Sequence, residues 1–293
     1  MKNLILAALV GVMLSGCVSS QIVPEEGAIR SVRTISVVPV ESPPLLLHPN
    51  TEEEQAAIAA LTRSAASPAA APAPDISGPG AGLAQSAAPL ALAPPVAVQR
   101  GAATLMTIGG MLLLLDAASS GKETPGGGAV VAGYPSETWM PSVEFAKTAV
   151  SLLQRRETLD VRMIDGYVKL PIADRSITWH LENWMAPIRH WYGSDVPGVD
   201  YASLSSGKAD LILEVGVLNY EYAFDRLILQ VWVRLIDPNT RQVLGRARNF
   251  EQSKTQPLAP LLQNDAEGMK RLVLEAGNRL VGKCLADVRL TSR

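Results

Sequence analysis

Three alternating segments between residues 211 and 248 constrain the fold of this chain more than any other feature. Apolar and polar positions follow each other with the two-residue period of a strand that has one face in water. Glu214 in the first segment and Arg234 in the second fall on the face predicted to be wet. Residues 237–240, Asp-Pro-Asn-Thr, predict a turn because proline presets its second position, and residues 243–248 return as the hairpin partner.

Two more strands are predicted outside this block. Residues 33–40 are rich in β-branched side chains, and Pro39 indicates that this strand ends there at a sheet edge or an exit. Residues 159–163 alternate between apolar and polar positions and predict the second strand.

Helical periodicity predicts three helices. The first begins near Pro141 and carries apolar residues at positions 143, 146, 150 and 153. The second begins near Ser176, and Pro187 is expected to kink or split it because proline removes a backbone donor. The last begins near Asn264 and places Cys284 on its apolar face, where a lone cysteine is expected to be buried as a small hydrophobic residue.

These elements follow the order β-α-β-α-β-β-β-α. The order predicts an α/β (α+β) fold, a two-layer sandwich with a mixed sheet of about five strands and three helices. Residues 33–40 supply the first strand, residues 41–140 form a long insertion, and residues 141–290 complete the domain.

The insertion itself is not uniform. Thr51 and the glutamates that follow it suit the start of a short helix over residues 51–63. Residues 64–100 are dominated by Ala, Pro, Ser and Gly, a composition that predicts a disordered, partly extended linker.

Residues 101–115 are the most apolar part of the insertion. As a helix this uncharged segment would extend about 22 Å, which is shorter than the hydrocarbon core of about 30 Å. We therefore expect a helix that is buried against the domain or that touches the bilayer or a partner. The possible contact residues are Ile108, Met111, Leu112, Leu113, Leu114 and Leu115.

Aromatic residues mark two further places. Trp179 lies off the apolar stripe of the second helix, and exposed tryptophans are enriched at binding hot spots, so it is a possible partner contact. The run Tyr220–Phe224 lies at a predicted strand end, and we interpret it as a strand edge or a partner-docking edge.

The first segment is typical of an exported protein. Lys2 precedes the apolar stretch Leu4–Leu14, which is shorter than a typical transmembrane helix. Residues 14–17, Leu-Ser-Gly-Cys, then resemble the lipobox of bacterial lipoproteins.

The lipobox resemblance implies that residues 1–16 are a signal peptide and that cleavage falls between Gly16 and Cys17. It also implies that Cys17 receives lipid and that residues 17–32 tether the domain. Several acyl chains give a stable anchor, whereas one chain holds a protein only marginally. The residue after Cys17 is Val18 and not Asp. By resemblance to Gram-negative lipoproteins, this implies passage to the outer membrane, with the anchored protein facing the periplasm.

The folded part resembles a group of bacterial envelope proteins. The group includes the curli-secretion channel lipoprotein, the TolB N-terminal domain and a lipoprotein activator of a peptidoglycan synthase. Residues 207–215 look like the group's Gly-Ala-Asp strand, and residues 234–237 with 240–244 look like its hairpin. The chain departs from the pattern at Lys208, which splits the Gly-Ala-Asp, at Arg241, which replaces the hairpin glycine, and by roughly 95 residues inserted after the first strand.

Composition and motifs argue against an enzyme and against nucleic-acid binding. The net charge is −2 and 18% of residues are charged, whereas a nucleic-acid binder shows a basic excess. No G-x-S-x-G, phosphate-binding loop or H-E-x-x-H pattern occurs, and no Cys-x-x-Cys accompanies His180 or His190. We predict no catalytic residues, no metal and no cofactor.

The anchor, the domain type and the apolar segment 101–115 together favour an adaptor or assembly lipoprotein of an envelope transport or secretion machine. Its partners would be the membrane, one or more envelope proteins and possible further copies of the chain. One alternative is an activator of a periplasmic enzyme that reaches across the periplasm on the linker. Another is a lipid or ligand carrier, which would need a cavity. Because the inferred fold hosts channels, activators and adaptors alike, the fold does not decide between them.

Overall fold

A computed structural model describes the fold. It describes residues 21–48, 51–52, 54–56, 104–108, 111–115, 130–132, 139–175, 181–204 and 209–292, with backbone alone over 104–132. The predicted signal peptide, the linker over 64–100 and most of the predicted helix over 51–63 lie outside these residues. Thr51 is described, and its hydroxyl accepts a 3.0 Å hydrogen bond from the Glu54 amide, as a helix cap does.

Ten strands and five helices make up the described part of the chain. The strands are β1 Thr34–Pro39, β2 Leu45–His48, β3 Thr104–Ile108, β4 Met111–Leu115, β5 Val130–Ala132, β6 Asp160–Met163, β7 Tyr167–Lys169, β8 Leu211–Ala223, β9 Arg226–Asp237 and β10 Gln242–Lys254. The helices are α1 Glu26–Arg30, α2 Pro141–Gln154, α3 Glu182–Gly193, α4 Tyr201–Leu204 and α5 Leu258–Asp287.

One mixed sheet organises the domain. Strands β8, β9 and β10 form an antiparallel meander, as the alternation and the Asp-Pro-Asn-Thr turn predict. Strand β1 lies parallel to both β6 and the first half of β8. Strand β2 lies parallel to the second half of β8 and to β4, and β3 pairs with β4. The predicted α/β class with a mixed sheet is confirmed, and β2, β3 and β4 add strands from within the insertion.

Strand β1 has β6 and β8 on its two sides from Thr34 to Val37. Pro39 is its last residue and lies beyond the pairing with β6, opposite Val215 of β8. The exit that the proline predicts is correct, since Pro43 and Pro44 separate β1 from β2. Strands β1 and β2 therefore pair, one after the other, with the first and the second half of β8.

Helices cover both faces of the sheet. On one face α2 and α5 pack on β1, β8 and β9 around fully buried residues such as Phe145, Leu213 and Val233. On the other face α3 covers a second core that includes Ile188, Ile212 and Trp232. This second layer accounts for the burial of polar positions on β8 and β9, whereas the second half of β10 keeps alternate positions exposed.

The expectation that Glu214 and Arg234 face water is wrong. Both side chains have zero exposure because α3 lies over the face they share. The aromatic run over Tyr220–Phe224 is not a sheet edge either, since β2 pairs with β8 there. Only Phe224, at the turn into β9, is largely exposed.

Residues 21–32 do not form a free tether. The backbone of Ile22 exchanges two 2.9 Å hydrogen bonds with Arg246 on β10. Ile29 of α1 and Val32 are buried in the core beside α5. Within the described residues, the folded domain therefore extends back to Ile22.

Helix α3 runs through Pro187 without being split. Pro187 is the sixth of the twelve residues of the helix, and Trp184, Ile188 and Trp191 form the predicted buried face. Residues 176–180, where the helix was expected to begin, lie outside the described part.

Helix α5 contains a break where the last helix was expected to open. Residues 263–266 depart from helical geometry, and Asn264, Asp265 and Ala266 have positive φ. Cys284 is buried on the apolar face beyond the break, as predicted. Among the described residues, no helix is both long enough and apolar enough to cross a membrane.

Candidate functional site

The predicted contact residues separate into two groups. Gly16, Cys17 and Trp179 lie outside the described residues. Ile108 ends β3, and Met111, Leu112, Leu113, Leu114 and Leu115 form β4.

The helix expected over residues 101–115 is wrong, because residues 104–108 and 111–115 pair as the antiparallel strands of a hairpin. Ile108 pairs with Met111 and Thr104 with Leu115, so two residues connect the strands, and both are glycines. A Gly-Gly pair between apolar runs is a hairpin signal, and it was available in the sequence. An apolar run of this length is compatible with either a strand or a helix.

The hairpin of β3 and β4 forms one end of the main sheet. Strand β4 pairs with β2, and the strand order ends at β3 in the described part of the chain. An outermost strand presents backbone N–H and C=O groups that can pair with a strand from another chain. The edge of β3 is therefore the first candidate interaction surface.

A buried row of charged residues crosses the meander beneath α3. Glu214 on β8 lies opposite Arg234 on β9, which in turn lies opposite Arg246 on β10. The Arg234 Nε atom is 2.8 Å from Glu214 Oε2, and its Nη2 atom is 3.0 Å from Oε1. This is the bidentate geometry that makes arginine–carboxylate pairs strong and specific.

Two aromatic side chains complete the surroundings of Glu214. Tyr201 donates its hydroxyl to Oε1 at 2.5 Å, and the Trp191 indole donates to Oε2 at 3.1 Å. Burial, together with the neighbouring Glu214 carboxylate, raises the pKa of Tyr201 well above its ordinary value. The Tyr201 hydroxyl therefore stays protonated and donates to the Glu214 carboxylate.

The two arginines also cap the end of α3. Arg234 donates to the carbonyls of Trp191 and Ser194, and Arg246 donates to those of Tyr192 and Gly193. Carbonyls in the last helical turn lack helical donors, and positive charge is favourable there. The charged row thus fixes the position of α3 on the sheet.

Arginines also stack on the aromatic face of α3. The Arg234 guanidinium lies 5.2 Å from the centre of the Trp191 ring, and Arg175 lies 5.4 Å from Trp184. Arg175 is itself paired with Glu41, at 3.1 Å between Nη2 and Oε2. These contacts hold the inner face of α3 in place, while its outer face, including Arg189 and His190, is exposed.

Titratable groups suited to catalysis or metal binding do not converge in the described residues. No group of three His, Cys, Asp or Glu side chains there is arranged to hold a metal ion. His48 lies 3.1 Å from Glu221, and the Cys284 thiol is buried with its pKa raised to about 12, mainly by burial. A thiol in that state is a poor nucleophile.

A second candidate surface lies where the first described residues meet the ends of α2 and α5. Two adjoining cavities of about 840 Å³ and 1000 Å³ open there. The exposed basic residues that line them are Arg30, Arg33, Arg155, Arg156, Lys283 and Arg289, named here the basic face. No sequence pattern marks this surface, because its members come from three distant segments.

Comparison with known proteins finds similarity to solved structures. No family model matches this chain, and no curated protein matches it. PelC of Paraburkholderia phytofirmans, a dodecamer, is 14% identical over 50% of this chain and 75% of PelC, with a TM-score of 0.28.

Two other solved structures are similar in the same limited way. A DUF330 protein from Xanthomonas campestris is 8% identical, over 91% of each chain, with a TM-score of 0.32. A lipoprotein from Neisseria meningitidis is 18% identical, over 38% of this chain and 72% of its own, with a TM-score of 0.17. Such low scores and identities support no conclusion about the role of this chain.

Proposed function

We propose that this chain is an outer-membrane lipoprotein that acts in the periplasm as an adaptor or assembly component of an envelope transport or secretion machine. The observation that carries the proposal is the closeness of the lipobox to the folded domain. Cys17 precedes Ile22 by five residues, and Ile22 is already hydrogen-bonded to β10. Lipid on Cys17 would therefore hold the domain directly at the membrane surface, because five residues span at most about 18 Å.

Partner binding is assigned to the edge of β3. This strand and β4 extend the sheet beyond β2, and the pair presents an outer row of backbone groups. Strand addition at such an edge supplies affinity through main-chain hydrogen bonds and accepts either a partner or a second copy. The contact residues Ile108 and Met111–Leu115 belong to this hairpin, and Trp179 stays a possible further contact.

The role we propose is binding and not catalysis, with no cofactor. The charged groups at the centre of the domain are buried and paired, and they act by fixing α3 on the sheet. A fixed helix and an open sheet edge are what an assembly component needs.

The periplasmic-activator alternative is less well supported. It requires the Ala/Pro-rich linker over residues 64–100 to separate the domain from its anchor. Strand β1, which precedes the linker, pairs with β6 and β8, which follow it. In the chain order the linker therefore joins two parts of one domain, whereas the activator role needs a linker between the anchor and the domain.

Crosslinking in intact cells tests the adaptor role. Two variants, Met106→Pro and Thr107→Pro, probe β3, since proline removes a backbone donor and neighbouring residues of a strand point their donors to opposite sides. One variant disturbs the pairing with β4, and the other blocks only the outer edge.

We expect the wild-type chain to be recovered from membranes in a crosslinked complex, with itself or with an envelope protein. The edge-blocking variant should lose that complex while keeping the wild-type thermal unfolding curve. A strictly monomeric wild-type chain, with neither variant altering complex recovery or localisation, would overturn the adaptor role.

A further inference from the structure

The basic face concentrates positive charge at one end of the domain. Arg33 precedes β1, Arg155 and Arg156 follow α2, and Arg289 follows α5. The ends of three elements meet there because β1 packs beside α2 and α5 in one core. Three segments that are distant in sequence therefore place six exposed cations around two adjoining cavities.

Two of the six cations are held in place by bonds to backbone carbonyls. Arg156 Nη1 donates to the Leu290 carbonyl at 2.8 Å, and Arg289 Nη1 donates to the Pro24 carbonyl at 3.3 Å. Both residues line both cavities, so they form the centre of the basic face. Each bond uses one of the donors of a guanidinium and leaves others for a ligand.

Two acidic residues lie at the same cavities, and both are engaged. Glu26 accepts from Arg30 one helical turn away. Asp287 accepts from the Asn249 amide at 2.9 Å. With six cations against these two carboxylates, the basic face has an excess of positive charge although the whole chain carries −2.

The basic face also lies beside the place where the anchor would enter. Gln21 and Val23 line the first cavity, together with Arg30 and Arg33. Val23 is 47% exposed, so an apolar side chain stands among the charged ones. Cys17 is only four residues before Gln21, a distance of at most about 14 Å.

We propose that the basic face docks the domain on the anionic phospholipid headgroups of the bilayer that holds its lipid anchor. This inference rests on the proposed anchoring at Cys17, which would bring the basic face to the membrane surface. Arginine matches phosphate oxygens with its planar set of donors, and clusters of Lys and Arg beside an anchor bind anionic lipid. The short tether makes this contact intramolecular, so a modest affinity is enough to orient the domain.

Such docking would fix which surfaces face away from the membrane. Strand β8 begins at Leu211, directly after Asp210, whose carboxylate accepts a hydrogen bond from the Arg33 amide. It ends at Ala223, about 40 Å farther along the sheet. Arg226 and Lys254 pair at that far end, where β9 begins and β10 ends. With the basic face on the bilayer, this far end projects into the periplasm.

Vesicle co-sedimentation of the unacylated mature chain tests the proposal. Residues 17–293 carrying Cys17→Ser are mixed with phosphatidylcholine vesicles with or without phosphatidylglycerol. The test variant is the triple substitution Arg33→Glu, Arg155→Glu and Lys283→Glu, which spares the arginines bonded to Leu290 and Pro24. The matched control is Arg226→Glu, Lys254→Glu and Arg271→Glu, which changes the same charge at exposed positions away from the basic face.

We expect the parent chain and the control to sediment with the anionic vesicles only, and high salt to release them. The test variant should bind those vesicles about 100-fold more weakly, from the loss of three cations. Equal binding by test and control variants would overturn the proposal, as would equal binding of the parent chain to both vesicle types. Because this chain carries no lipid, the outcome is independent of acylation in cells, and the anchor and the basic face can fail separately.

Discussion

Glu214 and Arg234 lie directly opposite each other on β8 and β9 and form a bidentate ion pair with zero exposure of either side chain. Trp191 and Tyr201 donate to the same carboxylate, and Arg234 reaches on to the last carbonyls of α3. One pair thus joins two strands and a helix. A buried pair of this kind gives strength only while both partners remain, because a single buried charge is costly.

Glu214→Gln keeps the shape of the side chain and removes its charge. We expect a loss of about 3–5 kcal/mol in the free energy of unfolding, because Arg234 would remain buried without a counter-charge. Urea unfolding followed by circular dichroism measures this loss. Glu144→Gln, a partly exposed glutamate paired with Lys147, is the matched control and should change stability by less than about 1 kcal/mol. Equal effects of the two variants would contradict the role given to the buried row.

Gly277→Ala and Gly282→Ala test the packing of α5 on α2. A methyl group at position 277 would collide with the Phe145 ring, whereas nothing lies within 4 Å of one at position 282. We expect Gly277→Ala to cost about 1–3 kcal/mol and Gly282→Ala to add about 0.5–1 kcal/mol, since both sites are helical. Thermal melts of the two variants check the sign of each change, and a stabilised Gly277→Ala protein would show that the contact is misplaced.

Asp210 links the start of β1 to the start of β8 through its carboxylate. The amides of Arg33 and Thr34 donate to Oδ2 at 2.7 and 2.8 Å, and these bonds hold the pKa of Asp210 below its ordinary value. A carboxyl whose pKa is lowered by folding stabilises the protein above about pH 4 and loses that effect as pH falls through the lowered value. Asp210→Asn should therefore be less stable than wild type at pH 7, with a gap that narrows in acid. The urea unfolding midpoints of both proteins, at pH 7 and in acid, measure this difference in stability. A difference that widens in acid would contradict this assignment.

Cys284 should be unreactive in the folded protein. Burial raises the pKa of its thiol to about 12, and Val231 and Asn249 lie against the sulfur. In a Cys17→Ser chain, where Cys284 is the remaining cysteine, we expect no reaction with a thiol reagent at pH 8 in buffer. One equivalent should react in denaturant. Rapid reaction without denaturant would place the thiol at the surface.

The alternation of residues predicted the meander but not the burial of its polar positions. Polar residues at alternate positions of a strand give the same sequence pattern whether that face of the strand contacts water or a second layer of helices. Glu214 and Arg234 are buried because α3 returns across the sheet, and that return depends on tertiary packing. The cross-strand register that makes them a pair is likewise a property of the sheet.

Segment 101–115 shows the limit of a short apolar run. Its length and hydrophobicity suited a buried helix, yet β4 pairs with β2, itself a four-residue strand directly after two prolines. A strand of that length carries almost no periodic signal. The basic face is a similar case, because its residues come together only when the ends of α2 and α5 meet the start of the domain.

Acylation at Cys17 is the central claim, and mass spectrometry of the N-terminal peptide from membrane-purified protein tests it most directly. We expect the peptide to begin at Cys17 and to carry a diacylglyceryl group and an acylated amino terminus. The Cys17→Ser chain, prepared in parallel, should lack both and should leave the outer-membrane fraction. A wild-type chain that begins elsewhere, or that begins at Cys17 without lipid, would contradict the account.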